Sequence, residues 1–576
     1  MGVARVTSME IRRRAPNGGN IAAHLHPVLR RVYAARGIEQ NSDLDLSLER
    51  LLPVGSLAGL DAAAQLLAEH RSAGRVLIIG DFDADGATST ALVVRALRAM
   101  HFAHVDFLVP NRFRFGYGLT PEIVALAATR APSLIVTVDN GVSSVAGVEA
   151  ARAIGIPVLV TDHHLPGAEL PRAAVIVNPN LTDSRFGSRA LAGVGVAFYL
   201  VAALAKMLGE SFKAAQLLDL VALGTVADVV PLDHNNRILV SQGIKRIRAG
   251  RCVAGIRALL EAAGRVPKQL TAADLGFAVA PRLNAAGRLT DMSVGIACLL
   301  ADQPDEAARL AGQLSALNEE RREIEQRMQL EAKDLADALP YGDATEALGV
   351  CLFDDSWHQG VVGLVAGRMK DRLHRPVIAF ARAEDGSLRG SARSVSGVNI
   401  RDALDSIATA QPGLIDKFGG HAMAAGLTLG EANLPAFKAA FAAEIAARAE
   451  RETLTGVIYS DGALSAEELC METALALRGA GPWGQGFPEP VFDGQFRVVD
   501  ARIVGGKHMK LMLDAQSGGE PIDAIAFGHL SGPCAEVSLK SGAMIELAYR
   551  LEVNEFRGTE RVQLNCQHLK AGEPMC

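Results

Sequence analysis

At 576 residues the chain is too long for one hydrophobic core to organise, so several domains are expected. Its 49% hydrophobic, 21% charged and 5% aromatic residues are those of an ordinary soluble globular protein, and a formal net charge of −6 argues against a uniformly basic, nucleic-acid-coating surface while leaving room for a local groove. The seven cysteines are scattered, odd in number and lack a CxxC pair, which argues against a zinc site or a disulfide frame and for reduced thiols.

Residues 1–50 read as an N-terminal extension with a short amphipathic stretch at 28–33, expected to pack on the first domain. No apolar signal core follows its basic residues, and no later run is long enough to span a membrane, so a cytoplasmic location is expected by default. From Leu51 helical segments alternate with branched apolar runs at 76–79, 105–109, 134–138, 158–160 and 175–177. Strands separated by helices predict a parallel sheet, whose ligands gather at the carboxyl ends of the strands.

The residues just after each run are therefore informative. The first run breaks into Asp81, Asp83 and Asp85. At a spacing of two in an extended segment these carboxylates face one way and repel unless a cation neutralises them; hard cations such as Mg²⁺ and Mn²⁺ suit them. A calcium loop of the EF-hand kind is the alternative, but the acidic closing ligand is missing and a strand, not a helix, leads in. Gly86 then turns the chain into a helix whose N-terminal amides favour anions. The run at 134–138 delivers Asp139, and the run at 158–160 delivers Asp162, His163 and His164. Singly each is an ordinary turn or helix cap; on neighbouring strand ends they read as one metal site. Asp228, in the apolar stretch LDLVALGTVADVVPL, joins them because a carboxylate in apolar surroundings needs a partner.

Further on, residues 301–339 make one long helix, with Leu314, Leu317, Ile324, Met328 and Leu335 as its apolar stripe. Residues 341–452 mix strands and helices again as a second α/β domain; glycines beside Ser391, Arg393 and His421 could let a backbone approach a phosphate or could simply mark turns. From 453 to 576, β runs without a long helix between them predict a small barrel carrying Arg502, Lys507, Lys510, Arg550, Arg557, Arg561, Phe527 and Phe556, with acidic residues balancing the bases.

DFDADG, VDNG, TDHH and ALGTVADVVPL, in this order, resemble the motifs of the DHH phosphoesterase family. PNRFRFGYGL, LAGVGVAF, PRLNAAGR, LNEERREIEQ, SWHQGVVGLVAGR, RGSARSVSGVNI, KFGGHAMAAG and PWGQGFPEPVF extend the resemblance, along almost the whole chain, to the single-strand-specific exonucleases of that family. The resemblance implies a parallel-sheet catalytic domain over 51–300, a linking helix over 301–340, a substrate-binding domain over 341–452 and an OB-fold-like nucleic-acid-binding barrel over 453–576.

It further implies that Asp83, Asp85, Asp139, His163 and Asp228 hold two divalent cations, Mn²⁺ or Mg²⁺, with Asp139 bridging. His164 then contacts the phosphate or protonates the leaving 3′ oxygen, and Asp81 and Asp162 orient ligands. Arg112, Arg282, Asn284, Ser391, Arg393, Gly420 and His421 are the implied substrate contacts, with Arg282, Ser391 and Arg393 on a terminal 5′ phosphate. One departure stands out: Ile79 occupies a position where many relatives carry a ligating His.

The activity implied is removal of mononucleotides from the 5′ end of single-stranded DNA in recombination and repair, mismatch repair included, by a monomer. The partners implied are a single-strand-binding protein and a recombination helicase. The alternatives are a phosphodiesterase of short oligonucleotides or cyclic dinucleotides, and a scaffold that has lost its metals, although every implied ligand is present.

Overall fold

The computed structural model describes residues 9–15, 21, 24–111, 115–338, 348–449, 454–515, 520–528, 539–556 and 558–571. They divide into two compact units: Ile38–Glu320 together with Ala480–Glu489, and Met1–Gly37 together with Arg321–Gly479 and Pro490–Cys576. Among the described residues no single helix is long and apolar enough to cross a membrane.

In the second unit a strand near the N-terminus, β1 (Glu10–Arg13), pairs in parallel with Val457–Ser460, far down the chain. The sheet of the first unit is built from β2 (Arg75–Ile79), β3 (His104–Leu108), β4 (Leu134–Val138), β5 (Val158–Thr161) and β6 (Val175–Val177). All its pairings are parallel and the order is β3-β2-β4-β5-β6. β2, β4 and β5 are covered on both faces, which is why they read as runs of Val, Ile and Leu joined by the buried Thr137 and Thr161. Because the chain leaves β2 for β3 on one side and then returns to β4 on the other, the strand order reverses between β2 and β4. A crevice opens at such a switch point, outside the carboxyl ends of the strands. Register aligns those ends: Ile79 lies opposite Thr137, and Val138 opposite Thr161.

The long helix Pro304–Asp337 runs 34 residues. Leu314 and Met328 are buried as the apolar stripe predicts, but Leu335 is 37% exposed. The buried face continues instead through Asn318, Arg321 and Glu325, where Arg321 pairs with Glu325 and Arg368 reaches the same carboxylate at 3.3 Å.

In the second unit the mixed sheet has the order β10-β11-β9-β8-β7, from β7 (Val350–Phe353), β8 (Val377–Arg382), β9 (Leu388–Arg393), β10 (Lys417–Gly420) and β11 (Ala424–Leu429). Phe380, Phe437 and Phe441 anchor its core. β12 (Val457–Ser460) comes next, and then β13 (Phe492–Val504), β14 (His508–Asp514), β15 (Ile522–Ala526), β16 (Met544–Phe556) and β17 (Thr559–Ala571) close into a barrel.

Residues 38–50 lie with the first domain as expected, but the part of the N-terminal segment before Ile38 does not. β1 lies against β12 rather than against the domain that comes after it in the chain, and Arg13 grips Asp493 of the barrel at 2.7 Å. Arg36, after the first helix, reaches Asp461 at 2.7 Å with both side chains almost wholly buried. A four-residue strand carries too little periodicity to reveal a partner so distant in sequence.

Candidate metal centre

Each acidic residue owes its place to a local structural cause. Asp83 leaves β2 in extended conformation and caps the helix Ala84–Ala99, its Oδ1 accepting from the Asp85 and Gly86 amides at 3.0 Å each. Asp85, one residue into that helix, points at another helix N-terminus: Gly193 N donates to its Oδ2 at 2.6 Å and Val194 N to its Oδ1 at 3.0 Å. Asp139 sits at the end of β4 with φ +62, a left-handed conformation that turns its side chain off the strand line. Asn140 beside it stitches two strand ends, donating to Ile79 O at 3.1 Å and Val138 O at 2.9 Å.

After β5, Asp162 is consumed locally. Its Oδ1 accepts from the His163 and His164 amides, at 2.7 and 3.0 Å, and from His164 Nδ1 at 2.7 Å, while Oδ2 takes the Val142 amide at 2.8 Å. Asp162 thereby fixes the backbone of both histidines and the imidazole of His164. Asp228 ends the helix Leu218–Ala227 and brings the fourth element in.

These side chains converge. His163 Nε2 lies 3.1 Å from Asp139 Oδ1 and 3.4 Å from Asp228 Oδ2. Ligand-type atoms fall within 4.8 Å of one another in three overlapping groups: Asp81, Asp83 and Asp139; Asp85, His163 and Asp228; and Asp139, His163 and His164. Burial, and after it the charge of Asp83, pushes Asp85 up to about 7. Burial, then Asp85 and Asp83, holds Asp139 and Asp228 well above the usual carboxylate range. Burial pulls His164 down, but its bond to Asp162 together with the charges of Asp162, Asp81 and Asp83 outweighs that and raises it. Burial raises Asp162, yet the His164 bond and both imidazoles bring it below its usual value.

The donor set fits divalent cations. The buried atoms Asp139 Oδ1 and Asp228 Oδ2 accept no hydrogen bond among the described residues, a costly arrangement for protein alone and the normal one for oxygens that face an ion. Oxygen-rich ligands with one imidazole suit Mg²⁺ or Mn²⁺. Ile79, in the place of a family His, is fully buried in the apolar cluster under the sheet with Leu77, Leu108 and Val160 and offers no ligand.

The helix Ala280–Leu289 buttresses the acidic loop. Asn284 Oδ1 accepts from Ala84 N at 2.8 Å, and Gly287 packs so closely on the Phe82 carbonyl that a Cβ would overlap it. Arg282 on the same helix donates to Ala278 O at 2.5 Å, Ser315 Oγ at 3.0 Å and Ala262 O at 3.3 Å. Arg112 lies outside the described residues.

In the other unit, Ser391 and Arg393 share one face of β9, with Arg393 Nη1 donating to Ser391 Oγ at 3.0 Å. Arg393 is opposite Ala424, and Gly420 opposite Ala425, so Gly420 and His421 lie at the same end of the sheet. Gly363, at the start of the helix Val362–Leu373, gives them room: a Cβ there would lie 2.9 Å from Ser391 Oγ and 3.0 Å from Arg393 Nη2.

Sequence reasoning did not single out Tyr117, whose hydroxyl donates to Asp139 O at 3.3 Å and sits 3.2 Å from the His164 ring nitrogens. It also passed over Gly193 and Gly224. A Cβ on Gly193 would lie 2.6 Å from Asp139 Oδ1, and one on Gly224 would lie 2.7 Å from Asp85 Oδ1. Glycines inside apolar helices were the available signal for such close approach.

Comparison with known proteins agrees with this geometry. Residues 75–225 match the DHH family N-terminal domain, 345–447 the DHHA1 domain and 460–568 the RecJ OB domain. The single-stranded-DNA-specific exonuclease RecJ of Dickeya dadantii is 53% identical over 97% of this chain and 99% of its own length. That of Escherichia coli is 52% identical over 96% of this chain and 97% of its own. The crystal structure of RecJ from Thermus thermophilus in complex with Mn²⁺ superposes with a TM-score of 0.79 at 33% identity, covering 96% of this chain and 77% of that one. The same protein in complex with Mg²⁺ gives 0.74 at 32% identity, over 96% of this chain and 75% of that one.

Proposed function

This chain belongs to the RecJ family of single-stranded-DNA-specific exonucleases, and from that premise we propose that it hydrolyses single-stranded DNA stepwise from the 5′ end to mononucleotides, in DNA recombination and repair. The observation that carries the reading is the pair of buried oxygens, Asp139 Oδ1 and Asp228 Oδ2, that meet His163 with no hydrogen bond to satisfy them. Asp83, Asp85, Asp139, His163 and Asp228 would hold the divalent cations, two Mn²⁺ or Mg²⁺ ions. When bound, such ions neutralise the crowded carboxylates and the charge that develops on the phosphodiester during in-line displacement.

The chain's own residues do the rest. Asp162 fixes the orientation of His164 through Nδ1, and the raised affinity of that imidazole for its proton suits it to protonate the departing 3′ oxygen. Asp81 orients the neighbouring ligands. Ser391 and Arg393, with the backbone at Gly420 and His421, hold a terminal 5′ phosphate and so choose the end that is read. The closed barrel supplies a surface for the strand. Since a duplex must first be opened, a helicase and a single-strand-binding protein are the fitting partners.

The test is digestion of 5′-labelled and 3′-labelled single strands, each beside its duplex, with Mn²⁺ or EDTA and with Asp139→Ala. Immediate release of the 5′ label as mononucleotide, from single strands only and only with metal and Asp139, supports the reading. Survival of long strands while di- to pentanucleotides or cyclic dinucleotides are cleaved would favour a short-substrate phosphodiesterase.

A further inference from the structure

The segment Ala480–Glu489 belongs to the catalytic unit, although the residues on both sides of it belong to the other. It is a tight turn: Gly484 and Phe487 exchange backbone hydrogen bonds at 2.9 and 3.1 Å, and Gly486 supplies the left-handed corner with φ +71. The turn is locked in place. Phe487 is 4% exposed, Trp483 stacks on it with centroids 5.2 Å apart and planes 13° apart, and the guanidinium of the buried Arg237 lies 4.4 Å from its ring centre.

This turn touches the chain immediately after Asp228. Gln485 O accepts the Leu232 amide at 2.7 Å. A Cβ on Gly484 would lie 2.7 Å from Leu232 Cδ1, and one on Gly486 would lie 3.3 Å from Pro231 Cβ. Asn236 Nδ2 holds Pro231 O from the other side at 2.9 Å. Between the pinned Leu232 and Asp228 stands Val229, at φ +60 and 63% exposed. Helices commonly end on a left-handed residue at this position, but it is usually glycine; a β-branched valine adopts it only when its surroundings compel it.

We propose that Ala480–Glu489 is a positioning strap: by fixing Pro231 and Leu232 it maintains the strained Val229 turn and so aims Asp228 at the site it shares with His163. The proposal rests on reading Asp228 as a cation ligand. It makes Phe487, Gly486 and Arg237 positioning residues for metal binding, none of which touches the ion.

The experiment is titration of the full-length, metal-free chain with Mn²⁺, following the electron paramagnetic resonance signal of the free ion, for the unaltered protein, Phe487→Leu, Gly486→Ala, Asp228→Asn and Phe437→Leu. Phe437 belongs to the core of the other unit and controls for general destabilisation. Loss of a partner that orients a ligand weakens metal affinity by about 10–100-fold, so Phe487→Leu and Gly486→Ala should move the weaker Mn²⁺ equilibrium by that factor in the direction of Asp228→Asn, with Phe437→Leu unchanged. Strap variants that melt earlier but bind Mn²⁺ like the unaltered chain overturn the proposal, and Asp228→Asn that binds Mn²⁺ normally overturns the reading beneath it. Reciprocity supplies a measurement on the unaltered chain: Mn²⁺ should slow hydrogen exchange of the Leu232 amide and of 480–489, and exchange indifferent to Mn²⁺ there also overturns the proposal.

Discussion

Gly193→Ala tests whether the site is set by backbone proximity. Gly193 opens the helix Gly193–Met207, and its amide is 2.6 Å from Asp85 Oδ2. An added Cβ would lie 2.6 Å from both Cβ and Oδ1 of Asp139, where carbon atoms at rest need about 3.5–4.0 Å. About 1 Å of movement must therefore be found, either by Asp139, which its left-handed backbone and its amide bond to Thr161 O at 3.0 Å hold in place, or by the helix end that supports Asp85. Displacement of about 1 Å at a reacting centre costs roughly 10²-fold in rate, whereas overpacking of this kind costs about 1–3 kcal/mol in stability. Initial rates on 5′-labelled single strands at saturating Mn²⁺, beside a urea melt, separate the two. The matched control is Gly312→Ala, where an added Cβ meets nothing within 4 Å; it should gain about 0.5–1 kcal/mol of stability and keep its rate. A folded Gly193→Ala that cleaves as fast as the unaltered chain would refute the argument.

The carboxylates give a pH signature. With Asp85 near 7, its contribution to the metal-free fold is complete below the unfolded value of about 4 and is lost as pH rises through about 7, and Asp139 and Asp228, held well above the usual carboxylate range, act in the same direction; the gain in Tm on adding Mn²⁺ should therefore grow as pH rises from about 4 through about 7, and a gain indifferent to pH contradicts the assignment. Asn284→Ala leaves the Ala84 amide without its acceptor, at a cost of about 1–3 kcal/mol, and loosens the acidic loop, so both Mn²⁺ affinity and kcat should fall while KM for long single strands holds. Arg36→Ala leaves the buried Asp461 carboxylate only the longer contact with Arg14 at 3.8 Å and the Val491 amide, and should lower stability by up to about 3 kcal/mol in a denaturant melt, with the rate of the folded enzyme unchanged.

How much of the fold and site was legible depends on where each residue's signal comes from. β2, β4 and β5 were plain because strands covered on both faces need unbroken branched residues, and the parallel register then carries Asp81, Asp83, Asp139, Asp162 and His163 to one rim. The long helix was legible as a helix, but its buried face was not. Counting apolar positions selects Leu335, which is exposed, and cannot anticipate that Asn318, Arg321 and Glu325 occupy the inner stripe, with Glu325 shared between Arg321 and Arg368. The docking of β1 on β12 and of 480–489 beside Leu232 was hidden, because both join segments remote in sequence through backbone groups that every residue possesses. Tyr117 could not be told from a core aromatic until His164 and Asp139 stood beside it.

The proposed ligands fall into two kinds, and the difference bears on where the chain should tolerate change. Asp83 and Asp85 are aimed by hydrogen bonds, each accepting amides at a helix N-terminus, so their side chains are oriented before any cation arrives. Among the described residues Asp139 Oδ1 and Asp228 Oδ2 have no such donors, and an unusual backbone aims them: a left-handed residue at Asp139, and at Asp228 a left-handed neighbour. Hydrogen bonds can re-form after a small shift, but a forced backbone angle survives only while packing compels it. Gly193, which crowds Asp139, and the strap that crowds Leu232 answer this requirement, since close contact is what compels an unfavoured φ. Sensitivity to substitution therefore extends to Gly193 and Phe487, residues that carry no charge and face no substrate.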